Sequence, residues 1–394
     1  MTPSAIIDPF GPADLRDGIV WRSSAESSRR PGRRTIQPHP LERERRTRTM
    51  RLGLLVPFQG SDAIWGPSCQ FSAVLAAAEL NEQGGILGRE VELFAADAGG
   101  DPADVVARTR HLVETCGVDA LIGVHLSSVR VALRHAFGGI IPYVFAPLYE
   151  GGERSSGVFA IGETPDRQFP GAVRWLIEER RAQRWFLVGN DYVWPRASHE
   201  AIRKFVTDCG GEVSGESYIG LGNTKIADVV RNIAAIQPDV VFESLVGSDC
   251  VRFNRAFARS GLPSRALRLS GAIEENTLFG IGQRHTQNLY CVASYFSALT
   301  TPENRSFLER YRQAFGATAP VQGVLSQSCY EAIRFFAALS HAAGSTDICD
   351  LDAAFEGLHF RSARGTTFVR DGAIVAPIYL ARANGTAFTI MKQF

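Results

Sequence analysis

Leu121-Ile122-Gly123-Val124-His125-Leu126-Ser127-Ser128, followed by Ile140-Ile141-Pro142-Tyr143-Val144-Phe145-Ala146-Pro147-Leu148-Tyr149-Glu150-Gly151-Gly152, reads as two buried strands that each end in small or aromatic polar residues. In an open parallel α/β sheet, side chains at the carboxyl ends of strands face the crevice where ligands bind. Ser127, Ser128, Phe145 and Tyr149 are therefore candidates for the wall of a pocket.

Working outward, the same alternation of strand and helix continues in both directions. Leu52–Val56 is a short apolar run, and Phe71, Val74, Leu75 and Ala78 then recur at helical spacing up to Gly84-Gly85, where a left-handed cap favours glycine. A strand over 91–96 precedes Asp101-Pro102, an N-cap acceptor followed by proline in the first turn of the next helix. Strand 120–124, helix 129–137 and strand 141–146 complete one doubly wound unit of parallel βαβ crossovers. A turn-rich segment from Glu150 to Pro165 separates it from a second series: helix 167–180, strand 185–189, helix 195–209, strand 213–218, helix 225–236, strand 239–244, helix 248–260 and strands 267–270 and 289–295.

Two late helices, near 302–315 and 323–343, look like cover for the first unit, and the tail 365–392 reads as short strands with hairpin turns at Asp371-Gly372 and Asn384-Gly385. The expected fold is α/β, with two doubly wound parallel-sheet lobes joined by a multi-strand hinge. Residues 51–165 with about 298–345 would form the N-terminal lobe, and 166–297 with about 346–394 the C-terminal lobe.

Residues 1–50 differ in kind: Ser27–Arg34 and Leu41–Thr49 are arginine-rich, and the segment is read as a disordered basic extension that packs no core. An arm for nucleic acid or membrane is the competing reading, as is a start placed too early, with Met50 directly before the first core strand. No signal-peptide core is visible, which points to the cytoplasm, with the periplasm or cell surface as the alternative. Across 394 residues, 45% hydrophobic and 21% charged with a net charge of +1, composition indicates a two-domain globular protein without long-range attraction for nucleic acid. The seven cysteines form no C-x-x-C pair, so neither a zinc knuckle nor a thioredoxin-type motif is present.

Arg51–Gly53, Asn81-Glu82-Gln83-Gly84-Gly85-Ile86-Leu87-Gly88-Arg89, Asp97 and Gly99-Gly100-Asp101-Pro102 resemble the opening of the type I periplasmic-binding-protein family, in its branched-chain amino-acid, urea and amide branch. The likeness continues through Gly189-Asn190-Asp191-Tyr192-Val193-Trp194-Pro195-Arg196, Asp239–Phe242 with Val246-Gly247, and Tyr295-Phe296-Ser297 before Thr301-Pro302. It spans 51–394 and is nearest to the amide sensor that regulates aliphatic amidase expression and to urea receptors. The most specific signals are Tyr149-Glu150-Gly151 and the run Asp191–Arg196.

The resemblance implies a small ligand between the lobes, contacted by His125, Ser127 and the strand end at 145–149 on one side and by Tyr192, Trp194 and the loop carrying Val246 on the other. His125 and Phe145 stand where the amide sensors carry tyrosines, and Pro147 where they carry a threonine. Lost hydroxyls imply a ligand more apolar, or differently polar, than acetamide or urea.

Each candidate has a structural reading beside the functional one. Ser127 could cap the helix that follows, His125 could be a satisfied core histidine, Tyr149 could pack the hinge, and Tyr192 and Trp194 the lobe edge. Glu243 reads as an interlobe anchor or a partner for ligand nitrogen, and Glu274 and Glu275 as a helix N-terminus. Catalytic motifs are missing: no G-x-S-x-G, H-E-x-x-H, P-loop or G-x-G-x-x-G opening a helix, and no His pair of metal-ligand spacing.

The expectation is thus a non-catalytic, cleft-closing protein without cofactor or metal, binding a small amide, urea-like or amino-acid-like ligand. As a sensor its partner would be an antiterminator-like regulator. As a transport receptor it would be an ABC permease. A homo-oligomer is compatible with either.

Overall fold

The computed structural model describes residues 19–21, 48–222 and 225–394. A first sheet is built from β1 (Ile19–Trp21), β2 (Thr49–Val56), β3 (Glu90–Asp97), β4 (Ala120–Gly123), β5 (Tyr143–Phe145) and β6 (Val158–Ala160). A second takes β7 (Arg184–Asn190), β8 (Glu212–Ile219), β9 (Val240–Ser244), β10 (Leu267–Ser270) and β11 (Leu289–Ala293). A small antiparallel sheet of β12 (His359–Ser362), β13 (Gly365–Arg370) and β14 (Ala373–Val375) follows, and the hairpin of β15 (Tyr379–Asn384) and β16 (Ala387–Gln393) then joins the second sheet beside β11.

Both large sheets are wound the same way. Their parallel strands run β3-β2-β4-β5-β6 and β8-β7-β9-β10-β11, so in each the order reverses between the first strand and the third. At that switch the connections leave towards opposite faces, which opens a crevice at the carboxyl ends of β2 and β4 in one lobe and of β7 and β9 in the other. Every residue of β4, β9 and β11 is buried, as expected of parallel strands covered by helices on both faces.

Local signals account for many element ends. Asp101 accepts a hydrogen bond from the Ala103 amide at 2.8 Å and caps the helix Pro102–His111. The helix Gly66–Glu82 closes through Gly84 and Gly85, both with positive φ, and a Cβ at Gly85 would lie 2.0 Å from the Arg89 carbonyl oxygen. Asp371-Gly372, with φ of 55° and 71°, turns β13 into β14.

The structure departs from the sequence reading in three places. β2 already includes Thr49 and Met50, and Ile19–Trp21 pairs antiparallel with β3, so part of the N-terminal extension is strand. Isoleucine, valine and tryptophan suit an extended edge, but three residues are too few to stand out in a basic segment. The rest of the extension, 1–18 and 22–47, lies outside the described residues. β6 falls inside the segment read as turns, again as a three-residue run. Residues 346–394 do not all join the second lobe: the helix Ile348–Phe355 lies against the first, where Phe355 packs on Phe159 and Phe335 with ring centres 5.1 and 5.9 Å apart.

The chain passes between the sheets after β6, after β11 and between the helix Ile348–Phe355 and β15. Arg364, whose side chain is buried at the β12–β13 turn on the third passage, bonds to residues on the other two and to a helix beside the first sheet. Its guanidinium donates to Glu331 on the helix Val324–Ala343 (Nε to Oε2, 2.9 Å, with a second bond from Nη2), to Glu163 at 3.3 Å and to the Ser294 hydroxyl. Burial raises the pKa of Glu163, and Arg364 opposes that shift. Arg364→Met would leave Glu331 and Glu163 buried without a cation. We expect a loss of about 3–5 kcal/mol in stability, measured by guanidinium denaturation.

Candidate functional site

The carboxyl ends of the two sheets face one another, and a cavity lies between them. Trp65 follows β2, His125, Leu126 and Ser127 follow β4, and Pro147 and Leu148 follow β5; opposite them stand Tyr192 and Trp194 after β7, Val246 after β9 and Ala272 after β10. The space between the lining atoms is about 390 Å³, open solvent at its mouth included. Both switch points supply its walls.

Five residues expected from sequence therefore meet: His125, Ser127, Tyr192, Trp194 and Val246. Phe145 and Tyr149 do not line the cavity. They pack in the first lobe beneath the buried Arg130 guanidinium, which sits 5.8 and 5.5 Å from their ring centres and is held by Glu150 and Glu153. Strand-end position was sound for these rings, but β5 is short and the chain turns them inward. Ser128 is half-buried one residue beyond the lining. Pro147 and Leu148 belong to the strand end at 145–149 named from the sequence; Trp65 and Ala272 were missed, although the strand-end rule applied to β2 and β10 points to both, whereas Leu325, reaching in from the helix Val324–Ala343, had no sequence signal.

His125 lines the cavity as a neutral ring. Its Nδ1–H donates to the Leu126 carbonyl at 3.1 Å, so Nε2 is left to accept the Tyr143 hydroxyl at 3.1 Å. Burial lowers its pKa to about 4. Ser127 is not a helix cap: the cap position of the helix Ser127–Phe137 is Leu126, which has no acceptor side chain.

Tyr192 holds the same place for the helix Val193–Asp208, again without a side-chain cap. Two helix N-termini, one per lobe, thus open beside the cavity uncapped. The indole Nε1–H groups of Trp65 and Trp194, both buried, have no hydrogen-bond acceptor among the described residues. Tyr192 keeps its phenolic proton, since burial, Asp62 and Glu150 all raise its pKa.

The second lobe's rim is held from behind. Asn190, at the end of β7, accepts from the Val246 amide at 2.9 Å and donates to Asp249 at 2.9 Å. Ser244 Oγ lies 2.9 Å from His199 Nε2, and His199 Nδ1 lies 2.8 Å from Glu216. That connectivity is the one nucleophilic enzymes use, but Ser244 and His199 are buried and a Cβ at Gly189 would sit 2.4 Å from Ser244 Oγ. No substrate can reach it, and the chain of bonds is a strut.

Glu243 is neither an interlobe anchor nor near the cavity. It is buried inside the second lobe, bonded to Asn254 at 2.6 Å, and burial raises its pKa to about 7 although Arg268 is close. Glu274 caps the helix Glu275–Ile281 through the Asn276 and Thr277 amides. Among the described residues no cluster suited to a metal is found, and no helix is long and apolar enough to cross a membrane.

The lobes touch across the cleft. The Ser248 amide donates to the Ser61 carbonyl at 2.7 Å, and Asn276 Nδ2 donates to the Val321 carbonyl at 3.1 Å. Gly247 has φ of 51°, and a Cβ there would lie 1.8 Å from the Ser61 oxygen. Gly323 approaches Glu274 and Glu275 so closely that a Cβ would be 2.4 and 2.7 Å from their Oε2 atoms.

The sequence profile of a family described as "Periplasmic binding protein" matches residues 49–387. Leu/Ile/Val-binding protein homolog 6 of Brucella melitensis is 23% identical over 325 residues, covering 80% of this chain and 82% of that protein. An amino acid binding protein of Pseudomonas aeruginosa is 25% identical over 306 residues, covering 75% and 79%. Among solved structures, an ABC-transporter solute binding protein from Rhodopseudomonas palustris in complex with p-hydroxybenzoic acid superposes with a TM-score of 0.79 at 21% identity, covering 88% and 97%. A leucine binding protein from Thermotoga maritima does so with a TM-score of 0.77 at 16% identity, covering 88% and 99%. The structural likenesses speak for the fold. Closeness to the amide sensor in particular does not emerge from these matches.

Two predictions follow from the cleft contacts. In Gly247→Ala the new methyl collides with Ser61, and the left-handed backbone adds about 1–2 kcal/mol. Whichever solute raises the wild-type melting temperature should bind this variant at least tenfold more weakly by calorimetry, with only a few degrees lost from the ligand-free protein. Burial and the neighbouring Glu274 raise the Glu275 pKa to about 8. A folded pKa above the unfolded value means that the stability contribution is complete below about pH 4.5 and is lost as pH rises towards 8. The melting temperature of wild type relative to Glu275→Gln should therefore fall across that window.

Proposed function

The chain belongs to the periplasmic binding protein family, and from that premise we propose that it is the solute-binding receptor of an ABC transport system. It is a binding protein and not an enzyme. The observation that carries the receptor reading is the cavity between two facing switch points, walled by both lobes and closed by the Ser248–Ser61 bond. A ligand touching both walls is bound fully only when the lobes meet, so it shifts an open–closed equilibrium towards the closed form. A permease that reads the rim of the closed form would then accept only loaded receptor.

In this reading His125, Ser127, Tyr192, Trp194 and Val246 contact the solute, and Arg130 with Phe145 and Tyr149 supports their wall. Relatives named for leucine, isoleucine, valine and amino acids, and a structural neighbour holding p-hydroxybenzoic acid, support a compact organic solute. The same relatives favour a location outside the cytoplasmic membrane over the cytoplasmic one read from the sequence. A sensor of amides or urea that holds an antiterminator-like partner would use the same closure, and it remains the second reading on the strength of the Tyr149–Gly151 and Asp191–Arg196 likeness.

A thermal-shift panel of small carboxylates, amino acids, short amides and urea tests the receptor reading. A ligand at a hundredfold excess over its Kd contributes about 2.7 kcal/mol to the folded state. At least one member should raise the melting temperature, and Ser127→Ala should weaken that ligand about fivefold, in keeping with one hydrogen bond of ~1 kcal/mol. A panel without any shift would overturn the reading.

A further inference from the structure

The seam between the lobes buries acids and brings them no cations. In one contact, Ser61 and Asp62 of the first lobe lie under Gly247 and Ser248 of the second: the Ser248 amide donates to the Ser61 carbonyl, and a Cβ at Gly247 would stand 3.1 Å from the Asp62 Cα. The Asp62 side chain is buried there. In the other, Glu274 and Glu275 of the second lobe lie under Gly323 of the first, their Oε2 atoms 2.4 and 2.7 Å from where its Cβ would be. Both are buried as well. Each lobe thus carries carboxyl groups beneath a glycine of the other.

Among the described residues no arginine, lysine or histidine pairs with any of the three. Asp97 adds a second anion near Asp62, and Tyr192 facing it keeps its proton. On the opposing helix Gly247–Arg259, Arg252 is paired with Asp249, and Arg255 holds the Gly280 and Ile281 carbonyls. Around Glu274 and Glu275 stand Cys69, Cys291 and Tyr295, all kept protonated by burial, while Lys392 of the nearby β16 lies over the Phe394 ring. The pair divides its charge unevenly. Glu274 accepts four hydrogen bonds from Asn276 and Thr277, whereas Glu275 accepts from Ser297 through Oε1 alone and its Oε2 has no partner among the described residues.

A buried carboxylate without a cation is costly, so Asp62 and Glu275 hold protons while the lobes meet, with pKa values raised by burial to about 7 and about 8. Parting the lobes lifts Gly247 and Gly323 away and admits water to both groups, which then ionise at the ordinary carboxylate value of ~4. Resting on the closure described for the receptor reading, we propose that closing the cleft takes up protons at Asp62 and Glu275, so that acid favours the closed form and alkali the open one. Groups that bind protons more tightly in the closed form lose that advantage as pH rises through their closed-form values. Each proton taken up weakens closing about tenfold per pH unit within its window. A solute held by the closed form is then held more tightly as the surroundings acidify.

The Ser248 amide reports closure without any solute, because its acceptor is on the other lobe. Deuterium exchange of the whole chain is followed by NMR from about pH 5 to about pH 9 and corrected for the intrinsic exchange rate. Protection at Ser248 should fall about tenfold or more per pH unit up to about pH 7 and level off above about pH 8. Asp62→Asn and Glu275→Gln keep the size and remove the charge; each should make the profile shallower by roughly tenfold per unit, and either serves alone if the other fails to fold. Glu243→Gln removes an acid that is also buried with a raised pKa, but inside the second lobe, and should leave the profile as in wild type. Protection that is the same at every pH, or an equally steep fall in wild type and both seam variants, would overturn the proposal and leave the receptor reading to its thermal-shift panel. So would a Ser248 amide unprotected throughout.

Discussion

One buried guanidinium sets the frame in which the cavity exists. Arg364, itself on the third chain passage between the lobes, bonds to Glu163 and Ser294 on the other two and to Glu331 on the helix Val324–Ala343. Its charge is held in the interior by two carboxylates, and each is held there by it. One side chain thus ties the three passages to one another.

The two walls are stiffened by different means. In the first lobe, Arg130 over Phe145 and Tyr149, with Glu150 and Glu153, fixes the chain beyond β5. In the second, Asn190 ties the ends of β7 and β9 together, and the Ser244–His199–Glu216 chain holds β9 to its flanking helix. The second device has a hydrogen-bond partner for each of its buried polar atoms, as a buried network needs to favour one arrangement, whereas Arg130 Nε and Glu150 Oε2 in the first have none among the described residues.

Closure also brings backbone against backbone. Gly247 and Gly323 stand where a methyl group would strike Ser61 or the Glu274–Glu275 pair across the cleft. These glycines serve approach between lobes, whereas Gly85 serves a turn within one. Glu275, protonated at neutral pH, takes part in the contact without bringing a second negative charge beside Glu274.

The winding of both lobes was legible from residues 51–295 because buried parallel strands are runs of apolar residues and their helices repeat at another period. Ser127 was legible for the same reason, since position after a parallel strand predicts a crevice, whereas His125, Tyr192, Trp194 and Val246 were named from the family resemblance. The three-residue strands β1 and β6 were not read as strands, since so few residues carry no periodicity, whereas β5 was found within the apolar run 141–146. The side to which Phe145 and Tyr149 turn, the allocation of the helix Ile348–Phe355 to the first lobe and the arrival of Leu325 in the cavity depend on packing between distant segments. By itself the sequence determined the strand and helix order, and with it the crevices at the strand ends. Only the tertiary structure decided that the two crevices face each other, that Arg364 gathers the passages, and that two indole donors have no acceptor among the described residues, because these depend on contacts between segments that chain order does not encode.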